Sequence, residues 1–160
     1  MEQKWMALPL MQTEDIVQAV LFFTLLLAAS VWDIRKRIIP DELNILILCA
    51  GLPTFSFQKL LGILLSLPLL IAALNQEGSI GGGDIKLTVS CGFVLGLSAG
   101  CAGLIMGLSA AVLYHLIIQS IRKLKHMNAP AAGEALLPLA PFLSAGFIAS
   151  YLINFGGLTL

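Results

Sequence analysis

The chain has 160 residues, of which 58% are hydrophobic and only 11% charged, and its formal net charge is zero. A soluble domain is about half apolar and about a quarter charged, so a soluble globular fold is excluded. A neutral chain also carries no electrostatic footprint for nucleic acid.

Several apolar runs lack the alternation that barrel strands require, so the fold class is an all-α polytopic membrane protein. The chain reads as one membrane-embedded domain over residues 1–160. Cys49, Cys91 and Cys101 lie in apolar runs without a C-x-x-C pair. They read as small buried hydrophobes rather than a zinc site or a disulfide framework. No metal and no cofactor is expected.

Near the start, Ala28-Ala29-Ser30 faintly resembles a cleavage site, but Glu2, Glu14 and Asp15 offset the single Lys4. A signal peptide wants a positive n-region, so the segment reads as a retained first helix with its N-terminus outside. This first span covers about 16–32 and ends in the run from Asp33 to Glu42, in which Pro40 stops the helix and biases Ile39 to an extended conformation. A second span follows over about 43–57. A third covers about 60–74, with Pro68 as a kink.

After the polar run Asn75 to Ser79 comes Gly81-Gly82-Gly83-Asp84. The stretch from Ile85 to Ile121 carries one charge, Lys86, near its start. As a single straight helix it would be about 55 Å long against a hydrocarbon core of about 30 Å. Two spans, about 85–98 and 101–121, are therefore expected, turning at Gly96-Leu97-Ser98-Ala99-Gly100. Arg122 to His126 closes the fifth span, and a sixth covers about 136–155 with Pro138 and Pro141 in its first turns.

Six spans place both termini outside and loops one, three and five inside. Those loops hold Arg35, Lys36, Arg37, Lys86, Arg122, Lys123 and Lys125, leaving only Lys4 and Lys59 of the nine basic residues outside. That asymmetry is the positive-inside pattern. Gly92, Gly96 and Gly100, then Gly103, Gly107 and Ala111, form small-x-x-x-small faces suited to close helix approach in lipid.

Asp33 closes span one and Asp84 opens span four, so both carboxylates fall at the cytoplasmic end. A plain structural reading makes Asp84 the N-cap of the next helix. The same reading pairs Asp33 with Lys36 or Arg37 at helical spacing. The chemical reading joins them. Two close carboxylates do not readily both ionise, so they share a proton. One then takes a proton from water while the other polarises a carbonyl, which is amide hydrolysis by general acid–base catalysis. Gly81, Gly82 and Gly83 would let an extended peptide backbone approach.

Asp33 followed by Ile39-Pro40-Asp41, the run from Gly81 to Leu87, and Pro138-Leu139-Ala140-Pro141-Phe142 with Gly146 together resemble the type IV prepilin peptidase family, the GxGD intramembrane aspartic proteases. The resemblance covers roughly residues 16 to 152. It implies that Asp33 and Asp84 are the catalytic pair, with Gly81 and Gly83 as motif glycines and Pro40 as a motif residue. It further implies removal of a short basic leader from prepilin, pseudopilin or archaellin-like precursors at the cytoplasmic face of the cell membrane. This chain lacks the cysteine-rich cytoplasmic insert of the bifunctional members, which implies the peptidase-only form, without zinc or methyl transfer. Ala140 stands where many relatives have glycine, so no catalytic role is assigned to that loop.

Lys86 reads either as an electrostatic support for the pair or as a snorkelling lysine. His115 reads as interfacial. Asp41, Glu42, Glu77 and Glu134 are candidates for meeting a basic leader. The sequence sets no oligomeric state. A rival reading of another class is a proton-coupled carrier or channel that uses the two acids as a relay.

Overall fold

The computed structural model describes residues 8–75, 81–124 and 138–155. Glu2, Lys4, Glu77, Lys125 and Glu134, the polar runs before Gly81 and after Leu124, and the expected start of the last helix at Leu136 lie outside the described residues. Within them the secondary structure is entirely helical. The elements are α1 (Leu8–Lys36), α2 (Asp41–Ala50), a 3₁₀ turn (Leu52–Thr54), α3 (Phe57–Leu60), a 3₁₀ stretch (Leu61–Ser66), α4 (Leu67–Asn75), α5 (Gly82–Leu124) and α6 (Ala140–Phe155).

Most elements follow from local chemistry. Pro40 precedes α2 with an extended backbone, and Asp41 and Glu42 occupy the first turn, where acids favour the helix dipole. The kink expected at Pro68 is instead a junction. The chain is 3₁₀ up to Ser66, and Pro68 sits in the first turn of α4, where its missing N–H removes no intrahelical bond. Similarly, α6 begins at Ala140 with Pro141 as its second residue, and Pro138 lies ahead of the helix.

α5 hides a reversal. Gly96 has φ 79° and ψ 177°, a combination that L side chains rarely adopt. A Cβ on Gly100 would lie 3.6 Å from the Gly92 Cα, whereas eight residues of straight helix separate two atoms by about 12 Å. The chain therefore folds back at Gly96, and α5 consists of two arms, 82–95 and 97–124.

The expected small-residue faces are used on different neighbours. Gly92 meets Gly62 of the 3₁₀ stretch so closely that neither position has room for a Cβ. Gly103 and Gly107 meet Gly146 of α6 in the same way, backbone against backbone. Such contact maximises dispersion between helices where lipid supplies no hydrophobic driving force.

The exterior is as apolar as the core, unlike that of a soluble fold. On α1, Ile16, Val20, Leu27 and Val31 are exposed, while Gln18, Ser30, Asn44, Thr88, Ser90, Ser144 and Ser150 are buried. An apolar exterior on this scale belongs against lipid. The buried hydroxyls work inside: Ser150 donates to the Ala99 carbonyl at 2.6 Å, and Ser144 to the Leu26 carbonyl at 3.3 Å. Two stretches, Ile16–Lys36 and Gly82–Arg122, are long and apolar enough to cross a membrane, and Leu61–Asn75 and Ala140–Asn154 are shorter apolar helices. The core gathers Phe22, Leu26 and Ala29 of α1, Leu87 and Cys91 of α5, and Leu143 and Phe147 of α6. It holds the ends of these three helices together at one pole.

Candidate active site

At that pole, Asp33 in the last turn of α1 and Asp84 in the first turn of α5 line one pocket of about 340 Å³. Both are buried, at 7% and 8% exposure. Arg37, Ile39, Asp41, Gly81, Gly82, Gly83 and Lys86 complete most of the wall.

Asp33 is held by a third helix. Its Oδ2 accepts a hydrogen bond from the Ala140 N–H at 3.1 Å. Ala140 opens α6, and the first N–H groups of a helix have no partner within it. The carboxylate satisfies one of these donors and sits at the positive end of the helix dipole. Pro141, next in line, has no N–H to satisfy. The loop to which the sequence reading assigned no catalytic role thus positions an acid, and its signal was the proline-flanked start of the last helix.

The plain structural alternatives fare differently. Asp84 is not the N-cap of its helix; it is the third residue of α5, and its N–H donates to the Gly81 carbonyl at 3.0 Å. Asp84 Oδ1 is buried without a hydrogen-bond partner among the described residues. Asp33 forms no ion pair among the described residues with Lys36 or Arg37. Lys36 lies over the Trp32 ring instead, 4.9 Å from its centroid. Arg37 faces the pocket after α1 has ended, with φ 54°, in the left-handed region. Its N–H closes the helix on the Asp33 carbonyl at 2.8 Å.

The three glycines have three surroundings. A Cβ on Gly81 would lie 3.2 Å from Asp84 Oδ2, and one on Gly83 would lie 3.1 Å from the Ile39 Cβ. At Gly82 nothing lies within 4 Å. None of the three has positive φ; among the described glycines only Gly96 does. Pro40 stands behind Ile39 and sets the extended entry to α2.

Lys86 neither snorkels alone nor touches the acids. Its Nζ donates to both carboxylate oxygens of Asp41, at 2.7 and 2.8 Å, with both side chains solvent-exposed. Asp41, a candidate for meeting a basic leader, is thus already paired, whereas Glu42 is exposed. His115 shares a hydrogen bond with Gln119 at 2.8 Å, away from the pocket. All three cysteines are free thiols, and no cluster of metal-ligating side chains occurs among the described residues.

Residues 20–154 match the type IV leader peptidase family. The chain is 31% identical over 150 residues to the prepilin leader peptidase/N-methyltransferase of Bacillus subtilis (strain 168), an alignment covering 86% of this chain. It spans 56% of the length of that relative. No solved structure matches.

Proposed function

The chain belongs to the type IV leader peptidase family, and from that premise we propose that it is an aspartic endopeptidase that removes the basic leader from type IV prepilin-like precursors. The observation that carries this reading is the meeting of two buried carboxylates from different helices in one pocket. In the mechanism, Asp33 is the base: Ala140 steadies its Oδ2, and its other oxygen takes a proton from water. Asp84, whose Oδ1 has no partner in the fold, carries the shared proton and polarises the scissile carbonyl. Water attacks as the C=O is polarised, and the proton passes to the leaving nitrogen. No covalent intermediate is required.

The domain is a single six-span unit with both termini outside and the acids at the cytoplasmic side of the cell membrane. Support comes from the reversal at Gly96, which divides the long apolar run, and from seven basic residues that lie in sequence at or beside the expected loops one, three and five, most of them in the end turns of α1 and α5. Such a site suits substrates cut at the boundary between a basic leader and an apolar helix, because a peptide bond must leave the helix before water reaches it.

Replacing Asp33 or Asp84 by Asn keeps size and shape while removing the acid. Each variant should insert normally and abolish cleavage of a co-expressed prepilin, read as loss of the shortened product on a gel. Full cleavage by either variant would refute the dyad. Proton-linked flux in liposomes without any processing would favour the carrier reading.

A further inference from the structure

We infer that Asn44 is a substrate-binding residue that pairs with one peptide group of the extended precursor, in a second pocket opening beside the two aspartates. This rests on the peptidase reading above. Asn44 lies on α2 facing α5, and it is 5% exposed. Neither its Nδ2 nor its Oδ1 has a hydrogen-bond partner among the described residues. A buried carboxamide left with both functions unpaired is costly to fold. The neighbouring hydroxyl does not relieve it: Ser90 donates to the Asn44 backbone carbonyl at 3.0 Å and to the Lys86 carbonyl at 3.2 Å.

Asn44 lines a pocket of about 300 Å³ with Asp41, Lys86, Val89 and Ser90. Asp41 and Lys86 line the aspartate pocket too, so their ion pair is the shared wall between the two spaces. The Asn44 carboxamide atoms are themselves covered, so a chain bound at the aspartates would meet them only when this exposed pair moves aside.

The chemistry of the ligand follows from the side chain. A primary amide offers one acceptor and two donors on a single plane. It matches a peptide group, whose C=O accepts from Nδ2 while its N–H donates to Oδ1. An extended strand presents such groups unpaired, and a helix does not.

Position follows from the helix rise. Ser90, opposite Asn44, lies about 9 Å along α5 from Asp84, toward the apolar interior. An extended chain advances about 3.3 Å per residue. The engaged bond is therefore about the third on the side that stays with the apolar segment after cleavage. Asn44 would hold that segment extended where it would otherwise be helical.

The test uses the purified full chain and a synthetic peptide from a prepilin that the Bacillus subtilis relative cleaves, containing the leader, the cleavage site and the first turns beyond it. Asn44→Leu should melt at or above the wild-type temperature, since it removes an unsatisfied buried amide, yet lose about ten- to a hundredfold in kcat/KM. Single ester replacements along the peptide locate the contact. At about the third bond the ester should slow the wild type about tenfold, yet slow Asn44→Leu no further. If Asn44→Leu does not fold, Asn44→Ala carries the ester series. Wild-type kcat/KM in the Asn44 variant, or ester effects that are the same in both proteins at every bond, would overturn the inference. A wild-type chain that cleaves no prepilin, matching Asp84→Asn, would overturn the peptidase reading and this inference with it.

Discussion

At the residue scale, the glycine run before Asp84 resolves into separate constraints. Gly81 leaves room for the Asp84 carboxylate and Gly83 for Ile39, while Gly82 borders open space. Gly83→Ala should push Ile39 and the entry of α2 outward and lower leader cleavage about tenfold or more, because misplacement of a group by about 1 Å already costs about a hundredfold in an oriented site. Gly82→Ala should stay within about twofold of wild type and gain up to about 1 kcal/mol in stability from reduced freedom of the unfolded chain. Kinetics and thermal unfolding on the pair of variants measure both. A loss at Gly82 matching that at Gly83 would show that substrate, and not Ile39, needs the space. Arg37 adds strain to the same pocket. Its left-handed conformation costs about 1–2 kcal/mol in a non-glycine residue, and it places a cation in the wall beside Asp33.

Among the elements, α6 contributes most by its first residue. Its packing against the second arm of α5 through Gly103, Gly107 and Gly146 sets where the Ala140 N–H points. Ala140→Pro removes that donor at the position in a helix where proline is best tolerated. The variant should insert and fold, yet cleave about tenfold or more slowly, since a hydrogen bond to a charged group contributes about 1.5–3 kcal/mol. Cleavage assays beside thermal unfolding decide it. Unchanged cleavage in a folded Ala140→Pro chain would remove α6 from the mechanism.

The whole molecule sets the depth of the site. The first arm of α5 rises only about 21 Å from Gly82 to the turn at Gly96, and the second arm, 97–124, about 42 Å. A hydrocarbon core of about 30 Å is longer than the first arm and shorter than the second. In the six-span arrangement proposed above, with Gly96 at the outer surface, Asp84 would lie about 18 Å inward, within the core and short of its inner boundary, and its open pocket would connect it to the cytoplasm. Single cysteines in a chain cleared of Cys49, Cys91 and Cys101 test this. Gly82→Cys and Arg122→Cys should react with a membrane-impermeant thiol reagent from the cytoplasmic side, and Ser98→Cys from the outside. Labelling of Arg122→Cys from outside would defeat the six-span arrangement.

Composition alone determined that the chain is helical and membrane-bound, because too few charges exist to cover a soluble surface. The turn near Gly96 was legible too, since no single helix of that length fits a bilayer. The candidate acids stood out because an acid beside an apolar run is costly and rarely idle. What the tertiary structure alone decided is how the remaining groups are spent. The Ala140 N–H on Asp33, the Lys86–Asp41 pair and the unpartnered Asn44 each depend on which helix faces which. The prolines around Ala140 mark a helix start but not which side chain its free N–H will meet, and a polar residue in an apolar helix reads the same whether it meets lipid, a neighbour or a pocket. Packing at the small-residue faces settles that, and it acts between residues far apart in the chain.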